Sequence, residues 1–199
     1  MCIRDSDIAQ VIALQSDLLA LYRLDIDKYA DDKDGTKIRS IFDAIPSQLD
    51  DKNRRFVLAD LSKNARQNRY ASSLLWLADA GVALPCYNVK EPVPPLEGNG
   101  NHSLFKLFLS DTGLLCTASM GGIQYDLLQG NLDVNMGAIM ENVVAQELRA
   151  HGFDLYYFNT NRLGEVDFMV QSGRIVLPVE VKSGNDLSLI HISAPTRPY

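Results

Sequence analysis

Residues 164–170, with the sequence GEVDFMV, alternate polar and apolar side chains, which is typical of a β-strand with one buried face. Glu165 and Asp167 share the polar face. The opposite face carries the hydrophobic residues Val166, Phe168 and Val170. We therefore predict a strand over 164–170 that presents two carboxylates on one surface of a sheet.

A second polar strand follows in the same predicted hairpin. Ser172-Gly173 is a two-residue turn signal. If these residues form the hairpin loop, Glu165 lies opposite Glu180, and Asp167 lies diagonal to Glu180, about 7–8 Å away between side-chain roots. A bulge is the alternative, because Pro178 would interrupt the pairing opposite Asp167.

The residues before these strands predict a helix and a first strand. The helix covers 137–151, ends at Gly152, and carries Glu141 on the flank of its apolar stripe. That stripe consists of Met140, Val144 and Leu148. The first strand covers 154–158, so the order of elements is helix, strand, strand, strand.

Three acids and a lysine share one face of the predicted hairpin: Glu165, Asp167, Glu180 and Lys182. Carboxylates this close repel one another unless a cation or a proton intervenes. Oxygen-only ligands suit Mg²⁺ or Mn²⁺, so these crowded carboxylates predict a metal site. Such an ion can activate water for phosphodiester hydrolysis, and Lys182, at the end of the strand over 174–182, can orient that water. The alternative is a solvated strand face whose ion pairs contribute little.

Asp167, followed by Glu180-Val181-Lys182, resembles the signature of the PD-(D/E)xK nucleases. Glu141 resembles the acid on the helix that precedes this signature, whereas Val166 stands where a proline usually precedes the first acid. The resemblance implies a metal-dependent nuclease acting on DNA. In such a nuclease Asp167 and Glu180 would bind the metal ion with the assistance of Glu141, and Lys182 would orient the attacking water. It also implies a truncated restriction-endonuclease-like α/β unit over 137–186, because the last helix and strand of that fold would lie beyond Asp186.

Most of the chain also resembles the C-terminal region, a domain of unknown function, of AAA-type ATP-binding proteins. Four blocks carry this resemblance, at 105–115, 141–148, 165–168 and 179–184. In that family an ATPase module precedes this region. The chain contains no GxxxxGK[ST] loop, so we expect ATP to bind only through an upstream module that is also a partner of this region.

Residues 51–116 predict a winged-helix-like domain, with two helices followed by a β-hairpin that has a long tip. The helices cover 58–65 and 68–80, and the strands cover 82–89 and 104–109. Gly81 stands where a helix commonly ends. Basic side chains near the start of this region are candidates for DNA contact: Arg55, Lys63, Arg66 and Arg69. The alternative is a protein–protein or interdomain module whose arginines solvate a helix.

The remaining residues divide into a helical N-terminal segment, a connector and two unusual ends. Residues 7–50 predict helices over 7–29 and 36–44, and 117–136 forms a polar connector. Residues 1–6 and 187–199 resemble the two strands of one translated sequencing adaptor, because a reverse complement of codons for Met1–Asp5 encodes Ser188-Leu189-Ile190-His191. We expect these ends to be non-native and the protein to continue in both directions.

Composition supports a globular protein and excludes several kinds of site. The 199 residues are 46% hydrophobic, and the net charge is −6, which counts against a strongly basic nucleic-acid-binding protein. Three scattered cysteines indicate neither a disulfide framework nor a zinc site. With no apolar run long enough for a membrane and no leader pattern, we expect a cytoplasmic protein.

The predicted fold class is α+β, with a helical N-terminal piece, a winged-helix-like middle and a truncated restriction-endonuclease-like α/β unit. Two functions remain open for this fragment of an AAA-type ATP-binding protein. The first is a metal-dependent nuclease domain that acts on DNA, although the fragment itself is expected to be inactive. The second is a catalytically silent module that binds nucleic acid or protein for the ATPase.

Overall fold

The computed structural model describes residues 7–30, 32–51, 54–62, 67–120, 136–160 and 164–182. Within these ranges the fold is α+β, as predicted from the sequence. The helices are α1 (Ile8–Tyr29), α2 (Asp32–Asp50), α3 (Gln67–Asp79), α4 (Thr112–Met120) and α5 (Gly137–Ala150). The strands are β1 (Ala83–Val89), β2 (Gly100–Leu109), β3 (Tyr156–Thr160), β4 (Gly164–Ser172) and β5 (Ile175–Val179).

The predicted N-terminal helices form, and the second is longer than predicted. α1 begins after Asp7, whose side chain accepts hydrogen bonds from two backbone N–H groups of the first turn. α2 continues through Pro46 to Asp50. It buries the apolar face Ile38, Ile41, Phe42, Ile45 and Leu49. Packing of this continuous face outweighs the local cost of the proline, which the sequence pattern alone could not reveal.

The middle region contains the predicted helix and hairpin. α3 is followed by Gly81 in the left-handed conformation, with φ 69°, as the sequence predicts. β1 and β2 pair antiparallel. The predicted helix over 58–65 is instead a single 3₁₀ turn at Leu58–Asp60 followed by a turn at Leu61, and residues 63–66 lie outside the described ranges. The connector residues 121–135 also lie outside them.

One sheet joins the predicted winged-helix-like region, 51–116, and the predicted nuclease-like unit, 137–186. Its strand order is β2-β1-β3-β4-β5. β1 pairs parallel with β3, while the other neighbours are antiparallel. The hairpin of the middle region and the C-terminal strands therefore share a face, across which their side chains can meet.

The C-terminal hairpin forms, but the predicted register is wrong by two residues. Ser172 pairs with Ile175, so the loop is Gly173-Arg174 and Ser172 belongs to the strand. Gly173 has φ 61°, which suits the first position of a two-residue hairpin loop. The ladder ends at Phe168 and Val179, directly before Asp167 and Glu180. A shift of two residues keeps each side chain on its predicted face.

Helix α5 is fixed to the end of β2 by a side-chain clamp. The amide of Asn142, which is fully buried, accepts a hydrogen bond from Leu109 N and donates one to Leu109 O, both at 2.9 Å. One turn later, Gln146 Oε1 accepts from the backbone N and the hydroxyl of Thr112, both at 3.0 Å. This clamp sets the position of Glu141, the residue before Asn142, over the sheet.

None of the helices that the structure describes is long and apolar enough to cross a lipid bilayer.

Candidate functional site

A buried lysine of strand β2 lies at the centre of the acidic residues. Lys106 has 1% of its surface exposed. Its Nζ lies 2.8 Å from Glu165 Oε1 and 3.3 Å from Glu141 Oε2. Asp167 Oδ1 completes the group at 4.0 Å. An ammonium group tolerates such burial only when carboxylates compensate its lost hydration, and here three surround it.

Arg54 supplies a second cation from the segment between α2 and α3. Its guanidinium forms an ion pair with Glu141, whose side chain is 1% exposed. The Arg54 backbone has φ 47°, in the left-handed region that costs a non-glycine residue about 1 kcal/mol. This cost is consistent with a local conformation held by the ion pair. The carboxylates of Glu141, Glu165 and Asp167 therefore face the cations of Lys106 and Arg54.

Neighbouring strands surround the charged group with buried side chains. Cys86 of β1 pairs with Lys106 in the sheet register and is fully buried. Burial raises the pKa of the Cys86 thiol, which the nearby Lys106 charge only partly opposes. The ring of Tyr157, on β3, lies under Lys106 with its centroid 5.2 Å from Nζ. This arrangement adds a cation–π contact to the ion pairs.

The Tyr157 hydroxyl is a buried polar group that forms no hydrogen bond of good geometry with the described residues, although the Asn88 side chain lies close enough to lower its pKa. Tyr157 itself is fully buried. Burial raises the pKa of this phenol, although the Arg55 charge opposes the shift. The phenol is consequently neutral at physiological pH.

Asp167 connects the acidic group to the end of β5. Its Oδ2 accepts a hydrogen bond from Val181 N at 2.8 Å, while its Oδ1 faces Lys106. The Asp167 side chain is 16% exposed. The two separated parts of the predicted signature, Asp167 and Glu180-Val181-Lys182, therefore meet in space.

Glu180 and Lys182 form a separate, exposed pair. Lys182 Nζ lies 3.5 Å from Glu180 Oε2, and the two side chains are 68% and 46% exposed. Among the described residues, neither of the two forms an ion pair with Lys106 or Glu141. The structure thus brings together Glu141 and Asp167 of the predicted site residues, and it leaves Glu180 and Lys182 at the rim.

The arrangement of these carboxylates does not fit a metal centre as predicted. Oxygen ligands must point at a common cation. Here Glu141 and Asp167 point at the Lys106 ammonium, and Glu180 pairs with Lys182. Within the described ranges, no group of three or more His, Cys, Asp and Glu side chains is arranged to hold a metal ion.

The predicted basic patch is only partly described. Arg55 is half-buried and lines a surface cavity of about 420 Å³ beside Phe56 and Leu104. Arg69 is exposed on α3. Lys63 and Arg66 lie outside the described residues. Of the four residues predicted to contact DNA, the structure therefore describes Arg55 and Arg69.

Sequence reasoning missed Lys106 and Arg54 as site residues, and it placed Glu165 among the converging acids without assigning it as a ligand. Lys106 interrupts the apolar run 104–109, LFKLFL, and a lone charge within an apolar strand is a signal that it must find a buried partner. Arg54 gives no such signal, because it lies in a polar stretch between two helices. Only the folded chain shows which carboxylates these cations meet.

Two family models match the chain. One, a domain of unknown function (DUF8612), matches residues 2–124, which is more than half of the 199 residues. The chain belongs to the DUF8612 family. The other, a domain of unknown function (DUF4143), matches residues 136–194 and describes a C-terminal region often found in AAA ATPase proteins. No curated protein and no solved structure matches the chain.

The two matched ranges divide the charged group by sign. Both cations, Lys106 and Arg54, belong to the DUF8612 range. All three carboxylates belong to the DUF4143 range: Glu141, Glu165 and Asp167. The DUF8612 region thus places two positive charges among three negative charges of the DUF4143 region. Both ranges also extend into the ends that we interpret as adaptor-like, at 1–6 and 187–199.

Proposed function

We propose that this DUF8612 protein is the part of an AAA-type ATP-binding protein that lies outside its ATPase module, and that it acts as a catalytically silent protein-binding module. The observation that carries the proposal is the position of Lys106. Its ammonium occupies the point on which Glu141, Glu165 and Asp167 converge. With Lys106 and Arg54, most of the negative charge of these carboxylates is compensated without a metal ion.

Competition between Lys106 and a divalent cation supports the absence of metal-dependent catalysis at the acidic cluster. Lys106 is fully buried, so a metal ion would have to displace its ammonium into surroundings that cannot solvate it. The ion would also have to give up some of its own tightly held water. Together these costs oppose binding of Mg²⁺ or Mn²⁺ between Glu141 and Asp167.

Surface composition favours a protein partner over DNA. The net charge of −6 would repel the phosphate backbone, whose neutralisation by Lys and Arg dominates DNA affinity. In contrast, α1 exposes a row of large apolar side chains. Contiguous exposed apolar surface of this kind is typical of protein–protein contacts.

The second candidate function is metal-dependent cleavage of DNA by a nuclease-like domain. One observation favours it: Asp167 accepts a hydrogen bond from Val181 N, so the acid lies beside the Glu180-Val181-Lys182 segment. Under this proposal Asp167 and Glu180, with Glu141, would hold Mg²⁺ or Mn²⁺, and Lys182 would orient water. The ion pairs of Lys106 would first have to be broken.

Cleavage assays distinguish the two functions. Plasmid and short duplex DNA would be incubated with the intact gene product and Mg²⁺ or Mn²⁺, alongside the Asp167→Ala and Lys182→Ala variants. We expect no metal-dependent cleavage and no difference among the three proteins. Cleavage by the wild type that both substitutions abolish would reject silence and support the nuclease.

A further inference from the structure

A cavity opens on the face of the sheet opposite the charged group. Successive residues of a strand point to opposite faces, so Tyr87, which follows Cys86, points away from Lys106. Tyr156 pairs with Tyr87 across the parallel strands β1 and β3 and points to the same side. The next residue, Tyr157, lies under Lys106, as this alternation requires. Tyr87 and Tyr156 both line a cavity of about 310 Å³.

A third ring reaches this cavity through an irregularity in β2. The pairing of β1 with β2 shifts after Tyr87, which inserts residues 102–104 as a bulge in β2. Such bulges re-aim side chains. The His102 ring centroid lies 4.4 Å from that of Tyr87. A Cβ atom placed on Gly100 would lie 3.6 Å from His102 Nε2 and 3.9 Å from Tyr156 Cε1, so the three rings border one space. We call Tyr87, His102 and Tyr156 the aromatic pocket.

Two carboxylates give the aromatic pocket a negative charge. Glu97 and Asp154 line the same cavity, and with Tyr156 they also line an adjoining cavity of about 250 Å³. Burial raises the pKa of the Tyr156 phenol, and the nearby carboxylates of Asp154 and Glu97 raise it further. Arg149 Nη1 lies 2.7 Å from Asp154 Oδ1. With a neutral histidine, two carboxylates and one guanidinium leave one net negative charge.

This combination of rings and carboxylates favours a cation as the ligand. The faces of aromatic rings attract ammonium and guanidinium groups, and a carboxylate adds a charge-assisted hydrogen bond. A phosphate or carboxylate ligand would be repelled by Glu97 and Asp154. The apolar side chains of Ala83, Leu84 and Pro85 also line the cavity, and they suit the alkyl stem that precedes the charge of a basic side chain.

We infer that the aromatic pocket binds a lysine or arginine side chain of a partner protein, with the cation between the rings and the carboxylates of Glu97 and Asp154. The adjoining cavity gives room for neighbouring residues of the same partner segment. The inference rests on the proposed protein-binding role and names the chemistry of the partner. It does not involve the acidic cluster, which lies on the other face of the sheet.

NMR titration of the full chain with short capped peptides tests this inference. The probe is a pentapeptide with one central lysine among glycines, and a second probe carries arginine instead. The control peptide carries norleucine, which keeps an apolar stem and lacks the charge. We expect both basic peptides to shift the backbone amide signals of Gly100, His102 and Tyr156, and the norleucine peptide to leave them unchanged. Equal shifts with all three peptides would overturn the inference, and so would unchanged signals at about 10 mM lysine peptide.

Substitutions locate the binding site. Tyr156→Leu should raise the dissociation constant of the lysine peptide about two- to thirtyfold, whereas Tyr156→Phe, which keeps the aromatic face, should raise it less. Glu97→Gln should raise it about two- to fivefold. Glu91→Gln is the matched control, because Glu91 is exposed in the same connection between β1 and β2 and should leave binding unchanged. Circular dichroism verifies that each variant is folded.

Unchanged binding by both Tyr156→Leu and Glu97→Gln would overturn the inference, as would an effect of Glu91→Gln as large as that of Glu97→Gln. DNA cleavage by the wild type would reject the proposed silence and would not alter these titrations. The failure of this inference and the failure of the proposed function are therefore distinguishable.

Discussion

At the scale of single residues, the burial of Lys106 depends on the carboxylates around it. Three carboxylates and an aromatic ring replace the water that its ammonium loses. Removal of the ammonium would leave Glu141, which is also buried, with Arg54 as its remaining cation. The stability of the fold and the proposed catalytic silence of the acidic cluster therefore depend on the same side chain.

We expect Lys106→Met to lower the free energy of unfolding by about 3–5 kcal/mol, because it leaves buried carboxylates uncompensated. Chemical denaturation measures this change. Lys90→Met is the matched control, since Lys90 is exposed directly after β1 and its substitution should change stability by less than about 0.5 kcal/mol. Adding Glu141→Gln to Lys106→Met should recover part of the loss. Equal effects of the two lysine substitutions would contradict the role of Lys106.

Removal of the Tyr157 hydroxyl should be neutral or stabilising. This hydroxyl is buried without a hydrogen bond of good geometry to the described residues, so its desolvation is uncompensated. Tyr157→Phe should raise the free energy of unfolding by up to about 1 kcal/mol. Ser73→Ala, which removes another buried hydroxyl without a described partner, should have the same sign. A loss of more than about 1 kcal/mol on Tyr157→Phe would contradict this expectation and indicate that the hydroxyl forms a hydrogen bond, for which the Asn88 side chain is a candidate.

At the scale of elements, the Asn142 clamp determines where α5 presents Glu141. Asn142→Ala removes both hydrogen bonds to Leu109. We expect it to cost about 1–3 kcal/mol for each buried group left unpaired, as measured by thermal or chemical unfolding. Val143→Ala, at the exposed neighbouring position, is the control and should cost less than about 1 kcal/mol. Similar losses in both variants would mean that the clamp does not position α5.

The elements show how much of this fold could be predicted from sequence. Periodicity predicted α1, α3, α5 and the β1–β2 hairpin, because each pattern is local. The predicted register of the C-terminal hairpin was wrong, because the sequence allows either Ser172-Gly173 or Gly173-Arg174 as the two-residue loop. In the structure Ser172 pairs with Ile175, and Gly173, with its positive φ, takes the first loop position. α2 was predicted too short, since a proline is a local signal and the packing of its apolar face is not.

The candidate site was less predictable than the fold, for a physical reason. Glu141 and Asp167 could be expected to converge, because helix and strand faces follow from spacing. Their actual partner, Lys106, comes from β2, which is separated from β4 by two strands of the sheet and lies about 60 residues before Asp167 in the chain. Contacts of this range depend on strand order, which no local pattern encodes.

At the scale of the whole molecule, one sheet and one charged group connect the DUF8612 and DUF4143 regions. β1 pairs with β3 across their boundary, and the cations of the first region form ion pairs with carboxylates of the second. We therefore expect the two regions to unfold in a single transition. Fluorescence of Trp76, which lies in the DUF8612 range, should change at the same denaturant concentration as a probe attached in α5. Two separated midpoints would contradict this coupling.

Thermal unfolding with and without millimolar Mn²⁺ tests most directly whether Lys106 takes the place of a metal ion. A ligand that binds the folded state raises the melting temperature. We predict that Mn²⁺ leaves the melting temperature of the wild type unchanged. The melting temperature of the Asp167→Asn variant should be equally insensitive to Mn²⁺. A rise in the wild type that disappears in Asp167→Asn would contradict the account, because it would mean that the carboxylates accept a metal ion despite the ammonium between them.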